Sequence, residues 1–177
     1  YEFVKKPIKL TAIDISPDLL EEAKKIISSS NVSFKVENAY DMSFPDNSFD
    51  AVIGSSVLHH LDIEKALHEI YRVLKPGGII RFTEPNMLNP QIALQKNIPW
   101  LKRKLGDSPD ETAFFRSSMI HRLRNHDFTN ISVTPFDFLH PAIPQTLLPL
   151  ALPLTGLAEK IPLVKSIAGS LYISAIK

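Results

Sequence analysis

The sequence predicts an α/β fold in which a mostly parallel sheet has helices on both faces. Apolar runs of strand length alternate with helical segments through the first half of the 177 residues. The connections between these segments are short. Alternation of this kind is typical of a parallel sheet with helices packed against it.

The first strand and helix begin at Ile8. Residues 8–15 read IKLTAIDI, a mostly apolar run typical of a buried strand. Ser16, Pro17 and Asp18 then supply an N-cap hydroxyl, a proline at the first helical position and an acid near the positive end of the helix dipole. A run of serines followed by an asparagine ends this helix.

Three further strands and one helix follow in the first half. Strands are predicted at residues 32–36, 49–54 and 79–83, with a polar loop at residues 37–48. Before the last of these strands, Asp62 caps a helix, which ends at a Lys-Pro-Gly-Gly break. The apolar side chains of this helix form one stripe, made by Ile63, Ala66, Leu67, Ile70 and Leu74.

In the second half of the chain, the sequence pattern predicts fewer helices and strands. Residues 108–111 (SPDE) have the pattern of a capping box and predict the start of a helix. A second helix is predicted around residues 119–123 and ends near residue 126. Strands follow at residues 131–138, where Pro135 favours a sheet edge or a bulge, and at residues 171–176.

Composition excludes several classes of protein. Twenty basic residues balance nineteen acidic ones, which argues against a polybasic nucleic-acid binder, and the absence of cysteine excludes disulfides and thiolate chemistry. No export signal is seen at the N-terminus, so we expect a cytoplasmic protein. Residues 138–158 carry no charge if His140 is neutral, but they contain four prolines, so no uninterrupted spanning helix is expected.

Candidate binding residues lie where the predicted strands end, because ligands of open α/β sheets bind at the carboxyl ends of the strands. These positions are Asp14, Ile15 and residues 38–40, 55–60 and 84–86. A carboxylate such as that of Asp14 can accept hydrogen bonds from both hydroxyls of a ribose. The alternative is that it caps the next helix.

Three segments carry a resemblance to a known family. They read IDISPDLLEEAKK, NAYDMSFPDNSFDAVIGSSVLHHL and HEIYRVLKPGGIIRFTEPN. In this order they resemble the Rossmann-like S-adenosylmethionine-dependent methyltransferases, in particular the small-molecule (type 11) group that includes quinone-biosynthesis enzymes. The resemblance runs from about residue 8 to residue 86 and continues more loosely beyond. It implies methyl transfer from S-adenosylmethionine to a small-molecule or lipid-like acceptor by in-line displacement.

The resemblance also implies roles for individual residues. Asp14 would bind the ribose hydroxyls, and Ile15 would pack on the adenine. Asn38 stands where the family more often has Asp and would contact the adenine amino group, while the backbone of Ala39 would contact a ring nitrogen. Ser55 and Ser56 would lie against the methionine part of the cofactor.

The acceptor side is predicted from loop placement. His60 is a candidate for proton transfer and His59 for contact with the acceptor, with packing of the VLHHL segment as the alternative. Trp100, followed by three cations at residues 102–104, suggests a lid over an anionic acceptor or a lipid headgroup surface. An ordinary amphipathic cover helix is the alternative. The apolar segment 139–164 would meet the acceptor, a membrane or a second copy in a homodimer.

We expect one methyltransferase domain over residues 1–177, with a cofactor-binding core (1–86), an acceptor-side lid (87–128), and closing strands with an apolar helical insert (129–177). The six glycines form no G-x-G pattern, so we expect the family's first strand and its glycine-rich turn to precede Tyr1, with Tyr1–Lys6 as the tail of the first helix. That strand would lie between those at residues 8–15 and 49–54. For residues 1–177 alone we expect weak cofactor binding, and a shortened, non-catalytic binding module is the alternative.

Two competing interpretations were weighed. Tyr71 and Lys75 have the Tyr-x-x-x-Lys spacing of NAD-dependent short-chain dehydrogenases, but they lie in a helix away from the strand ends, where Tyr71 is expected to pack. His121 and His126 have no carboxylate at metal-ligand spacing, so a solvated helix face is expected and no metal site is predicted.

Overall fold

The computed structural model describes residues 8–27, 29–108, 111–139 and 143–177. The chain divides into two compact units, Tyr1–Pro45 and Asp46–Lys177, and each is described by itself. The expected helix tail at Tyr1–Lys6 lies outside the described residues.

The first unit contains two parallel strands and one helix. Strand β1 (Leu10–Asp14) leads through helix α1 (Pro17–Ile26) to strand β2 (Val32–Val36), and the two strands pair in parallel. The side chain of Ser16 accepts a hydrogen bond from the Leu19 N–H at 3.4 Å, which confirms the predicted N-cap.

The second unit contains a four-stranded sheet with helices in its connections. Its strands are β3 (Phe49–Ser55), β4 (Leu74–Pro85), β5 (Thr129–Phe136) and β6 (Ser170–Ile176). Its helices are α2 (Ile63–Val73), α3 (Pro90–Asn97), α4 (Pro99–Lys104), α5 (Arg116–Asn125), α6 (Leu148–Ala158) and α7 (Pro162–Lys165), with 3₁₀ turns at Leu58–His60 and Gln145–Leu147. The helices α2 and α5 and the four strands lie at predicted positions, except that β4 begins at Leu74 and includes the predicted Lys-Pro-Gly-Gly break.

The strand order of this sheet is β3-β4-β6-β5. β3 and β4 are parallel, whereas β6 runs antiparallel to both β4 and β5, so the sheet is mixed. β5 lies at the edge, as Pro135 predicts, because proline has no N–H to give to a second neighbour. The core is closed by fully buried side chains of α2, β4, α5 and β6, such as Leu67, Ile80, Leu123 and Ile173.

The helix predicted at residues 108–111 is wrong. Pro109 and Asp110 lie outside the described residues, but the chain from Glu111 to Phe115 is not helical. The Phe114 N–H donates to the Pro85 carbonyl at 3.0 Å, and the Phe114 carbonyl accepts from Met87 at 2.9 Å. These long-range hydrogen bonds hold the segment extended alongside the end of β4 and override its local capping pattern.

β1 and β3 each have one strand partner among the described residues, β2 and β4 respectively. Both strands therefore present an open edge within their own units. They are the two strands between which the sequence analysis expects a further strand.

A buried carboxylate fixes the loop that follows β2. Glu37 is 7% exposed, and its two oxygens accept hydrogen bonds from the N–H and Oγ of Ser43 at 2.8 and 2.6 Å. Lys35 lies 2.8 Å from Glu37. The hydrogen bonds from Lys35 and Ser43 lower the pKa of Glu37 from its ordinary 4.5 to about 2.

A second buried carboxylate fixes the loop that follows β3. Glu84, near the end of β4, is 1% exposed. It accepts hydrogen bonds from the backbone N–H groups of Val57, Leu58 and His59 at 3.0, 2.8 and 3.3 Å, and from Nδ1–H of His59 at 2.7 Å. A carboxylate can accept all four because each oxygen has two lone pairs.

The shifted pKa of Glu37 predicts a pH-dependent contribution to stability. Because the folded pKa is below the unfolded one, Glu37 stabilises the fold above pH 4.5, and this contribution is lost as the pH falls from 4.5 through about 2. We expect Glu37→Gln to lower the free energy of urea unfolding at pH 7, with the gap from the unsubstituted chain closing toward pH 2. Glu22→Gln, in an exposed ion pair with Lys25, is the control. A gap that does not change with pH would contradict the assignment.

The contacts of Glu84 predict a loss of stability in Glu84→Gln. Glutamine keeps the size of the side chain but replaces one acceptor oxygen with an NH₂ group that faces N–H donors. We expect the free energy of unfolding in urea to fall by roughly 1.5–3 kcal/mol. Glu21→Gln, in an exposed helical pair with Lys24, should change it little. Equal effects of the two substitutions would show that the buried contacts of Glu84 contribute nothing beyond surface charge.

Candidate active site

In the first unit, Asp14 and Ile15 stand at the carboxyl end of β1. Oδ1 of Asp14 accepts a hydrogen bond from the Ser16 N–H at 2.8 Å, so the carboxylate also shapes the turn into α1. Its other oxygen, Oδ2, has no hydrogen-bond partner in the described part of the chain and can accept from a ligand. Ile15 is 71% exposed beside it and offers an apolar surface.

Asn38 and Ala39 follow β2 and lie at the same edge of the two-stranded sheet. The Glu37 N–H donates to the Asp14 carbonyl at 3.0 Å, which ties the two strand ends together. Oδ1 of Asn38 accepts from the Tyr40 N–H at 3.0 Å, and its carbonyl accepts from Asp41 at 3.0 Å. The structure therefore brings together Asp14, Ile15, Asn38 and Ala39, all predicted by the sequence to bind the cofactor.

In the second unit, Ser55 and Ser56 stand at the carboxyl end of β3. The hydroxyl groups of Ser55 and Thr83 are 2.7 Å apart, and the Ser56 N–H donates to the Thr83 carbonyl at 2.8 Å. Ser56 has φ +52°, a left-handed conformation that is uncommon for a residue other than glycine. This bend turns the chain from β3 into the loop that carries the two histidines.

A cavity of about 330 Å³ opens beside this loop within the second unit. The histidine loop, the end of β4, helix α3, the turn after α4 and the start of β6 form its wall. The residues that line it are Ser56, His59, His60, Pro85, Ile92, Gln95, Lys96, Asp107, Gly169 and Ser170. The structure thus brings together the loop after β3 and part of the predicted lid.

The two histidines have different environments. His59 is 8% exposed, and its Nδ1–H donates to the buried Glu84, which fixes both the ring and its tautomer. The exposed His60 lies against it, with the ring centroids 4.0 Å apart. Nδ1 of His60 is 2.8 Å from Oε1 of Glu111, so a second carboxylate orients this ring.

A group of charged residues forms the far wall of the cavity. Nζ of Lys96 lies 2.9 Å from Asp107 and 3.2 Å from Glu111, with all three side chains largely buried. Burial opposes ionisation of Asp107, but the hydrogen bonds from Lys96 and Gln95 outweigh it and hold the pKa of Asp107 below its ordinary value. Nζ of Lys102 donates to the Glu111 carbonyl at 2.6 Å.

Trp100 does not line this cavity. It lies on α4 with 59% of its surface exposed, whereas Lys102 on the same helix is tied to Glu111. Of the lid segment predicted at residues 87–128, Ile92, Gln95, Lys96 and Asp107 line the cavity.

The apolar insert forms helix α6, which has no buried residue. Four of its leucines, at positions 150, 152, 154 and 157, are more than half exposed. Among the described residues, no helix combines the length and apolar character needed to cross a bilayer.

Contacts in the structure decide between the interpretations of Tyr71, Lys75 and His126. Tyr71 packs edge-on against Phe128 at 5.1 Å, and Lys75 pairs with Asp50 at 2.9 Å, so the two do not form a dehydrogenase dyad. His126 pairs with Glu64 at 2.9 Å. Because Glu64 is 62 residues before His126 in the sequence, the search for a carboxylate at metal-ligand spacing did not find it.

Glu84 and Glu111, which orient the two histidines, are the candidate-site residues that sequence reasoning did not assign. Glu84 was among the strand-end positions, and its place after an apolar strand was a usable signal. Glu111 instead fits a helix-capping pattern, so the sequence pointed to a different role. Lys96 and Asp107 carried no signal beyond their charge.

Comparisons with known proteins relate this chain to methyltransferases. Residues 2–82 match a family model described as a methyltransferase domain. The ubiquinone/menaquinone biosynthesis C-methyltransferase UbiE of Desulfotalea psychrophila is 36% identical over 114 residues, which are 60% of this chain and 46% of that protein. The demethylmenaquinone methyltransferase of Symbiobacterium thermophilum is 40% identical over 75 residues, 40% of this chain and 30% of that protein. The chain therefore spans less than half the length of these relatives.

A solved structure extends the likeness to the second half of the chain. It is an S-adenosylmethionine-dependent methyltransferase from Thermotoga maritima, described as a possible histamine N-methyltransferase. It superposes with a TM-score of 0.69 at 20% identity and covers 93% of this chain and 72% of its own. At this identity the likeness shows the fold alone. The family match over residues 2–82 and the shared fold together support a Rossmann-like S-adenosylmethionine-dependent methyltransferase.

Proposed function

We propose that this protein transfers the methyl group of S-adenosylmethionine to a small-molecule or lipid-like acceptor of the quinone type. The observation that carries the proposal is the placement of Asp14, Ile15, Asn38 and Ala39 at one sheet edge, inside the segment that matches the methyltransferase family. The naming of two relatives as quinone or menaquinone methyltransferases supports the acceptor class.

The residues at that edge fit the cofactor. Oδ2 of Asp14 can accept from ribose hydroxyls, while Oδ1 remains on the Ser16 N–H. The exposed face of Ile15 suits an adenine ring, and the amide of Asn38 is held by its bond to Tyr40. In the second unit, Ser55 and Ser56 are assigned to the methionine part.

When bound, S-adenosylmethionine supplies an electrophilic methyl group that leaves its sulfonium sulfur by in-line displacement. The chain contributes chiefly by positioning, because holding two reactants in line removes most of the entropic barrier. His59 is fixed by Glu84 and contacts the acceptor, and the charged wall around Lys96 limits where a polar group of the acceptor can lie.

His60 takes the proton that the acceptor loses. Its Nδ1–H donates to Glu111, so its Nε2 carries a lone pair that can accept a proton. The resulting imidazolium is stabilised by the same carboxylate. Glu111 is therefore a positioning residue for His60, as Glu84 is for His59.

The apolar surface of α6 suits a lipid-like acceptor or a peripheral contact with the membrane that holds one. Its exposed leucines form a hydrophobic surface, and contact with an apolar partner would remove that surface from water. Trp100, exposed on α4, is assigned to the path by which the acceptor enters.

A non-catalytic binding module is the alternative function. Asn38, which stands where the family more often has Asp, favours it, because an amide has no charge to strengthen the contact with the adenine amino group. Calorimetric titration of S-adenosylhomocysteine separates the two, since an enzyme of this class binds that product and a module that has lost the cofactor site does not.

The assignment of Asp14 predicts weaker cofactor binding in Asp14→Ala. Loss of the ribose contacts should weaken S-adenosylhomocysteine binding by roughly 1.5–3 kcal/mol, measured by calorimetry on the complete protein. Asp18→Ala, in the first turn of α1, is the matched control and should leave the affinity unchanged. An unchanged dissociation constant in Asp14→Ala would remove Asp14 from the site.

The assignment of His60 predicts a loss of kcat without loss of cofactor affinity. With a soluble demethylmenaquinol as acceptor, His60→Asn should lower kcat about 10²-fold, and Glu111→Gln should lower it less. His121→Asn, outside the cavity, should have no effect. If His60→Asn retains full kcat, proton transfer by His60 is wrong, although the methyltransferase assignment would stand.

A further inference from the structure

We propose that His59, His60 and Glu111 bind one divalent transition-metal ion of the Zn²⁺ type in the cavity of the second unit. Each of the three side chains offers one ligand atom, and these atoms all lie within 4.8 Å of one another. Two imidazoles and one carboxylate form a ligand set that suits zinc, cobalt or iron better than magnesium or calcium. The sequence predicted no metal site, because Glu111 is far from the histidines along the chain.

His59 is already oriented as a metal ligand. Its Nδ1–H donates to Glu84 at 2.7 Å, so its Nε2 holds the lone pair. Nε2 has no hydrogen-bond partner among the residues that the structure describes, and His59 lines the cavity. A histidine whose second nitrogen is held by a buried carboxylate is the usual arrangement at protein metal sites, because the carboxylate fixes the ring and raises its basicity.

His60 and Glu111 stand at a separation that an ion can bridge. Nδ1 of His60 and Oε1 of Glu111 are 2.8 Å apart and share one proton. Two ligands of a tetrahedral zinc ion with bonds of about 2.0 Å lie about 3.3 Å apart. A small outward movement of the exposed His60 ring lets the ion take the place of the proton between these two atoms. The neutral ring then carries that proton on Nε2, so no proton is released and His60 cannot act as a base while the ion is bound.

The charge around the cavity favours a dication. Lys96 lies between the carboxylates of Asp107 and Glu111, Lys102 donates to the Glu111 carbonyl, and Glu84 holds a further negative charge beside His59. Three carboxylates and two ammonium groups leave one negative charge in excess, and buried charge is stabilised only when it is paired. A divalent ion offsets this excess.

Lys96 does not block the ion. Its Nζ is closer to Asp107, at 2.9 Å, than to Glu111, at 3.2 Å. When Glu111 turns to the metal, Lys96 keeps its pair with Asp107. The cavity leaves room for a fourth ligand, either water or an oxygen of a bound molecule, and an oxygen ligand of such an ion loses its proton more readily than in water.

The test measures metal binding alone and does not depend on methyl transfer. The full chain is freed of metal with a chelator, then titrated with ZnCl₂ by calorimetry and with CoCl₂ by visible absorption. We expect one ion per chain, no net release of protons on binding, and cobalt bands of a four-coordinate N/O site. His60→Ala and Glu111→Gln should each weaken binding at least tenfold, and Glu84→Gln should weaken it 10–100-fold through His59.

His126→Ala is the matched control, because His126 also pairs with a carboxylate, Glu64, at 2.9 Å but outside the cavity. It should bind the ion as the unsubstituted chain does. Far-ultraviolet circular dichroism of each variant checks that it is folded. No saturable binding, or equal binding in His60→Ala and in His126→Ala, would overturn the proposal and would leave the proposed methyl transfer untouched.

Discussion

The second unit depends on one buried carboxylate, that of Glu84. It stands near the end of β4, the strand that lies between β3 and β6, and it is almost fully removed from solvent. A charge in that position is tolerable only when hydrogen bonds replace water, and the loop from Val57 to His59 supplies four. The same bonds therefore stabilise Glu84 and hold the chain in the 3₁₀ turn that carries both histidines.

On the other wall of the cavity, the buried charge is the positive charge of Lys96, and carboxylates pair with it. Lys96, on α3, is buried between Asp107 and Glu111, and Glu111 continues the network to His60. Polar networks of this kind are rigid when every member is paired, because any departure leaves a buried charge without a partner. No buried side-chain nitrogen or oxygen atom in the described part of the chain lacks a hydrogen bond. The cavity is thus held open by paired charges rather than by apolar packing.

Much of the fold could be predicted from the sequence, because its elements carry local signals. The N-caps at Ser16 and Asp62, the apolar stripe of α2 and the edge position of Pro135 all describe short-range constraints, and the structure confirms them. The helix predicted from the capping box at residues 108–111 was wrong, and the reason is tertiary contact. Its local preference is weaker than the two backbone hydrogen bonds that Phe114 makes with Pro85 and Met87.

The sequence by itself determined the order of strands and helices in the first half, the resemblance to a methyltransferase family, and the candidate residues at the strand ends, since strand ends follow directly from strand positions. Only the tertiary structure decided which charged groups meet. Glu84 reaches back to the loop before α2, and Glu111 reaches His60 and Lys96 across long stretches of chain. A hydrogen bond acts over about 3 Å and leaves no periodic trace in a sequence, so such pairs exist only once the chain is folded.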